Sequence, residues 1–366
     1  ISSRQNNYPD SNNNRHISQA KQLHFFIIIG YFTIVMVDKV LEKLIIMEEK
    51  RQWQTINLIA SENYISPEMR GVLGSALTNR YSEGYPGKRY YPGNDICDQI
   101  EELAISRLKK AFGLGSGWHV NVQPYSGSPA NLAVYYSLLQ PGEGLMGMAL
   151  AAGGHLTHGH RVNFSGRFYK SIPYAVNQDT GFLDYDNIER MALEHQPRVI
   201  VSGASAYPRF IDFARFNKIA KKVGAYHLAD ISHIAGLVAA GLHPSPFQSV
   251  RGDKSPGQAD VVMTTTHKTL RGPRSAVIFC VSELADRINR SVFPGLQGGP
   301  HNQDTAAKAL MAFEMSRPGF KNYQRQIVKN AQKLAQSLLA KGFVLVTGGT
   351  DNHLLLIDCR SFGLDG

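Results

Sequence analysis

From Asp38 to about Trp53 the apolar residues Val40, Leu41, Leu44, Ile45 and Met47 interleave with Lys39, Glu42, Lys43, Glu48 and Glu49 at helical spacing. That pattern predicts an amphipathic arm. A second helix is predicted over 98–112, where Ile100, Leu103, Ala104, Leu108 and Ala111 recur on one face before the glycine-rich run 113–117. Beyond it the pattern alternates. Short apolar runs at 118–122, 144–150, 198–201, 225–229, 261–265 and 276–280 predict strands, separated by helical stretches such as 129–139 and 212–223. This argues for an α/β fold: a mixed, mostly parallel, doubly wound sheet in three α/β/α layers, with functional groups in the loops at strand ends. From about Asn302 a long helical stretch reaches Lys341, and strand-like runs at 343–346 and 354–358 suggest the start of a smaller α+β unit. The expected divisions are an extension (1–37), a helical arm (38–65), a large domain (66–301) and an incomplete small domain (302–366).

Composition narrows the class. Forty-three per cent hydrophobic residues, 19% charged residues and 34 glycines in 366 residues suit a loop-rich α/β enzyme, not a disordered or fibrous chain. The net charge of +10 favours anionic ligands. Its lysines and arginines are scattered, however, with no basic stripe interleaved with aromatics, so no nucleic-acid partner is expected. Cys97, Cys280 and Cys359 lie far apart and outside any CxxC spacing, which indicates neither a disulfide framework nor a zinc site. The first 21 residues are Asn- and Ser-rich and basic, and the apolar run 25–37 is too short to span a bilayer. A transit peptide, an exposed extension and a secretory signal all remain open readings, no membrane partner is expected, and the basic start leans a mitochondrial or cytoplasmic location toward the mitochondrion.

The chemistry concentrates at strand ends. Lys268 closes a β-branched run through Thr264, Thr265, Thr266 and His267, and Arg271 and Arg274 follow. An amine there, desolvated among cations, becomes a neutral nucleophile toward an aldehyde, and pyridoxal phosphate (PLP) is the obvious one. Asp230 ends another strand, where a carboxylate can keep a pyridine nitrogen protonated and make the ring an electron sink. Ser126, Gly127 and Ser128 lie between a strand and a helix, so their amides and hydroxyls suit a phosphate. The loop Gly153-Gly154-His155-Leu156-Thr157-His158-Gly159-His160 clusters three imidazoles. A metal is one reading, an imidazole stacked on an aromatic cofactor is another, and His158 and His160 can be surface or structural groups; no metal site is assigned. Ser232-His233 lacks the GxSxG context of a hydrolase, and His233 can instead hold the cofactor or Asp230. The run 81–94, dense in tyrosine and glycine, suits an interface or ligand site. Within it Glu83, among phenols, can donate a proton near neutrality, or can simply pair with Lys88 or Arg89.

Long motifs then stand in order: Leu58-Ile59-Ala60-Ser61-Glu62-Asn63, the 81–91 segment, Ser126-Gly127-Ser128, the 153–159 loop, 229–239, 264–274 and Phe293-Pro294-Gly295-Leu296-Gln297-Gly298-Gly299-Pro300. From about Asp38 onward the chain resembles the serine hydroxymethyltransferases, PLP-dependent transferases of fold type I, the aspartate-aminotransferase group. The resemblance implies that Lys268 forms the internal aldimine, Asp230 pairs with the ring nitrogen, His155 stacks on the ring, and Ser205 and His233 contact its phenolic side. It places Ser126, Gly127, Ser128 and His267 on the phosphate, which Tyr81, Gly298 and Gly299 reach from a neighbouring subunit. An obligate homodimer, or a tetramer built from it, follows. By the same resemblance Ser61 holds substrate, Glu83 and Tyr91 cross the interface, Thr265 and Arg274 support the lysine, and Leu150, Gly154, His155 and Leu156 touch tetrahydrofolate. The implied reaction interconverts serine plus tetrahydrofolate with glycine plus 5,10-methylenetetrahydrofolate.

Three departures stand out: Pro92 where the family has glycine, Met263 at the head of a threonine run, and a long polar stretch over 247–260. The family's carboxylate-clamping arginine and a folate-contacting asparagine fall beyond Gly366, so this sequence is expected to bind PLP better than it turns over serine. A folate-independent PLP aldolase and a non-catalytic PLP-binding homologue are the alternative readings.

Overall fold

The structure is a computed structural model that describes residues 37–247 and 259–364. The expected leader, save Val37, and most of the long polar stretch lie outside the described residues. The described residues divide into two compact units, one up to Leu58 and the other from Ile59 onward.

In the first unit, α1 (Lys39–Gln54) begins where Asp38 accepts hydrogen bonds from the amides of Val40 and Leu41. Its first-turn amides are thereby satisfied by a carboxylate, which also suits the helix dipole.

The second unit is built on seven strands: β1 (Trp118–Asn121), β2 (Gly144–Met148), β3 (Lys170–Tyr174), β4 (Val199–Ser202), β5 (Tyr226–Asp230), β6 (Val261–Thr265) and β7 (Ala276–Val281). They lie in the order β1-β7-β6-β5-β4-β2-β3. Neighbours from β6 to β3 pair in parallel, and β7 runs antiparallel to both β6 and β1. Side chains alternate across the sheet, so the two faces build two cores. One packs Leu145, Val199, Leu228, Val261 and Ile278 under α3 (Gly127–Leu138) and α6 (Ala285–Arg290). The other packs Met146, Ile200, Ala229, Val262 and Phe279 under α2 (Asp95–Ala111), α4 (Tyr185–His195), α5 (Phe213–Lys222) and α7 (Asn302–Ser316). With both faces covered, the strands read as near-continuous apolar runs. The strand ends therefore carry the polar groups.

The structure revises three local expectations. β3 was not visible in the sequence because Pro173 interrupts it, which is tolerated since β3 is the sheet's edge. The helical stretch from Asn302 is two helices, α7 and α8 (Pro318–Ala340), because Pro318 forces Arg317 out of helical geometry, to φ −79° and ψ 144°. The two strand-like runs after it meet only in one bridge, Leu345 with Ile357, since Thr347, Gly348 and Gly349 all take positive φ and turn the backbone.

Candidate active site

At the ends of β5 and β6 two side chains of opposite charge face one cavity. Asp230, the last residue of β5, accepts four hydrogen bonds: Oδ2 from Asn131 Nδ2 at 3.0 Å and His158 Nε2 at 3.1 Å, Oδ1 from the Ser232 amide at 3.1 Å and its hydroxyl at 2.6 Å. The His155 amide donates to His158 Nδ1, which leaves the His158 proton on Nε2, aimed at the carboxylate. Burial by itself would push the Asp230 carboxyl up, but His158, Ser232 and Asn131 hold it well below the usual carboxylate range. The site therefore contains a fixed negative charge.

Across the cavity Lys268 Nζ donates to Thr265 Oγ1 at 2.9 Å. Burial lowers the affinity of this amine for its proton, Asp230 opposes that, and Arg274 adds to it. Ser232 ties the two halves together, since the oxygen that donates to Asp230 also accepts the Thr265 amide at 3.0 Å. Behind the lysine, Asn63 Nδ2 donates to the Lys268 carbonyl at 2.9 Å.

The remaining walls suit a flat ring and an anion. Ser126, Gly127 and Ser128 line the cavity where α3 begins, and Ser126 makes no side-chain cap, so the first amides of α3 are left for a ligand. Gly127 is required: a Cβ there would sit 2.6 Å from Thr265 Cγ2. His267 Nδ1 and Asn131 Oδ1 are buried without a protein partner, although both residues line the cavity. Burial, with Lys268 and Arg274 nearby, brings His267 down to about 4, and burial with Lys268 and His353 brings His233 down to about 2, so both imidazoles are neutral near pH 7. His155 also falls below its ordinary value through burial; its Nδ1 accepts the Thr157 amide at 3.2 Å, leaving the proton on Nε2. Ser205 completes the lining, its amide donating to the Gly153 carbonyl at 2.8 Å. The cavity holds about 180 Å³.

Of the residues expected at the site, Ser126, Gly127, Ser128, His155, Ser205, Asp230, His233, Thr265, His267, Lys268 and Arg274 line this cavity, while the others do not. Tyr81, Glu83, Gly298 and Gly299 gather into a second cluster: a Cβ on Gly299 would meet both Glu83 Cγ and Tyr81 Cδ1 at 3.4 Å. Tyr91 packs edge-on against Tyr81 at 5.9 Å. Arg89 does not pair with Glu83; it binds Asp98 and Glu101, each at 2.7 Å. Leu150 and Leu156 are exposed, and Gly154 fits tightly against the Met148 carbonyl, where a Cβ would clash at 1.9 Å. Ser61 lies outside the cavity, two residues before Asn63.

The sequence profile of the family described as serine hydroxymethyltransferase matches residues 34–366. A serine hydroxymethyltransferase of Desulfotalea psychrophila is 54% identical over 329 residues, covering 90% of this chain and 74% of the relative. Relatives of the same name from Legionella pneumophila strain Corby and Sorangium cellulosum are each 54% identical, over 92% and 90% of this chain and 78% and 75% of their own lengths. The chain belongs to the serine hydroxymethyltransferase family. The seven-stranded sheet between helical layers is accordingly the type I fold of PLP-dependent enzymes. Five residues that sequence reading did not place in the site, Asn131, His158, Ala204, Ser232 and Met263, line the cavity as well. A polar residue one turn into the helix after the cup was the available signal for Asn131. For Ser232 it was the hydroxyl two residues beyond Asp230, suited to an Asx-type turn.

Proposed function

We infer that this chain performs the hydroxymethyltransferase reaction, moving one carbon between serine and tetrahydrofolate to give glycine and 5,10-methylenetetrahydrofolate. The observation that carries the reading is Lys268 and an ionised Asp230 lining one cavity with an uncapped helix start. Pyridoxal phosphate fits this donor set: Lys268 for its aldehyde, Asp230 for its ring nitrogen, and the cup at 126–128 with His267 for its phosphate. When bound, it supplies an aldehyde carbon and a protonated ring that withdraws electrons from the α-carbon of an amino acid.

The protein's part is to place charges and protons. Asp230 would keep a proton on the ring nitrogen of the bound cofactor, because four hydrogen bonds stabilise its negative form. Lys268, partly desolvated, has a neutral fraction available as nucleophile and proton carrier, with Thr265 Oγ1 orienting Nζ. His155 provides a neutral imidazole wall, and His233 and His267 add no positive charge near pH 7. Glu83 is the carboxyl group we assign to the serine hydroxyl proton. Because it lies outside the cavity of its own chain, beside the exposed Tyr81 and Tyr91, a second copy would bring it to the substrate, and the working unit would be a homodimer.

Serine cleavage measured with and without tetrahydrofolate tests the reading. Turnover that depends on the folate supports it; cleavage of β-hydroxy amino acids with no response to tetrahydrofolate would make the chain an aldolase instead.

A further inference from the structure

Lys308 lies on α7, outside the cavity, and is only 1% exposed. A lysine so buried requires partners, and it has three carbonyls: Nζ donates to Val122, to Pro124 at 3.4 Å and to Ala276 at 3.3 Å. These carbonyls sit where β1 and β7 separate, beyond the last paired register of Asn121 with Ile278. There the ladder no longer supplies donors, and Pro124 has no N–H to offer. Neighbouring side chains grip the same stretch. Ser275 Oγ donates to Pro124 at 2.9 Å, Gln297 Nε2 donates to Gln123 at 3.0 Å, and Gln297 Oε1 accepts the Tyr125 amide at 3.0 Å. The next three residues are the cup itself, Ser126, Gly127 and Ser128.

We propose that Lys308 is a positioning residue for the anion cup, its ammonium tying the carbonyls of Val122 and Pro124, just past β1, to that of Ala276, the first of β7, so that the amides at 126–128 are held toward the cofactor's phosphate. The proposal rests on the PLP reading above. It also carries a pH signature. Three carbonyls match the three N–H bonds of an ammonium, whereas a neutral amine has two. Burial brings Lys308 down to about 8, opposed by Asp304 on its own helix and Glu101 on α2. Glu101 is itself committed to Arg89 at 2.7 Å and Gln123 at 3.0 Å, and the loop after β1 and the start of β7 present carbonyls to Nζ. The grip should therefore loosen as pH climbs through that value, a range in which the phosphate stays fully ionised because its second pKa is about 6.

The test compares affinity for pyridoxal phosphate with affinity for pyridoxal, which lacks the phosphate, in full-chain apoprotein titrated by absorbance at pH 7 and pH 9. Lys308→Met should weaken PLP by roughly tenfold, the scale of a lost charge-assisted hydrogen bond, while pyridoxal binds as before. The preference of the unaltered protein for PLP over pyridoxal should shrink between pH 7 and pH 9, and that of Lys308→Met should not. Lys308→Gln, which keeps two N–H donors without charge, should fall between them, and serves as the variant if methionine prevents folding. An unchanged preference in either variant, or an equal loss for both ligands, overturns the positioning role. Failure of the PLP reading looks different: the unaltered protein would bind neither compound and form no borohydride-fixed adduct at Lys268.

Discussion

The cavity and the tyrosine face differ in how completely one chain satisfies them. Around Asp230 four donors converge on a single carboxylate from three separate stretches of chain, and the neighbouring amine is held by Thr265. On the face that carries Glu83, Tyr81 is 65% exposed and Tyr91 47%, and their edge-on contact leaves both phenol surfaces largely open. One region fixes its central carboxylate within a single chain, and the other has the composition expected of an interface. Cofactor capture and turnover should therefore respond differently to the same perturbations.

The largest effect should come from Lys268→Ala, which should abolish the borohydride-fixed cofactor altogether, as read by the mass of the protein after reduction. Fixation that survives the change would remove the lysine assignment. Glu83→Gln attacks the other region: turnover of serine with tetrahydrofolate should fall about 10²–10⁴-fold while the cofactor spectrum stays as it was. Equal losses of both would show that the two regions are not separable. Asp230→Asn strips the charge from a buried hydrogen-bonded carboxylate and should cost about 3 kcal/mol or more of apoprotein stability in urea unfolding.

Acid should reach the cavity before the face. The imidazoles of His233, His267 and His353 are held neutral by burial at about 2, 4 and 4, against an ordinary value of 6.5. Below pH 6.5 the unfolded chain binds protons that the folded chain refuses, so stability is full above that pH and declines as pH falls from about 6.5 toward 4. A urea midpoint that stays flat over this interval would contradict the burial of these rings. The smallest change is Gly127→Ala, expected to cost about 1–3 kcal/mol through overpacking against Thr265 Cγ2. Thr265→Ser, which deletes that methyl and keeps the hydroxyl, should recover most of it.

Much of the cavity was legible because its chemistry sits at the ends of apolar runs. Asp230 is the last residue of a buried strand and Lys268 follows another by three residues, and a charged group after such a run stands out in any sequence. The supports of Asp230 were harder to see. Asn131 lies 99 residues from Asp230 and His158 lies 72, so only the parallel crossovers bring them together. His158 carried no local sign distinguishing it from His160. Likewise Glu83 was legible as an acid among phenols, but nothing local shows that Arg89 turns away to Asp98 and Glu101. Pro173 sits inside a strand and Pro318 ends a helical run; the first was missed because edge position is a property of the whole sheet. The second was missed because apolar periodicity continues across the break.

The bridging hydroxyl of Ser232 sets a fixed gauge within the molecule. It fastens the tip of one parallel strand to the tip of the next, and neighbouring strands stand about 4.8 Å apart. The separation of Asp230 from Thr265 is thus set by one hydroxyl between two backbone tips, so a substitution that slips either strand by one position would break that link.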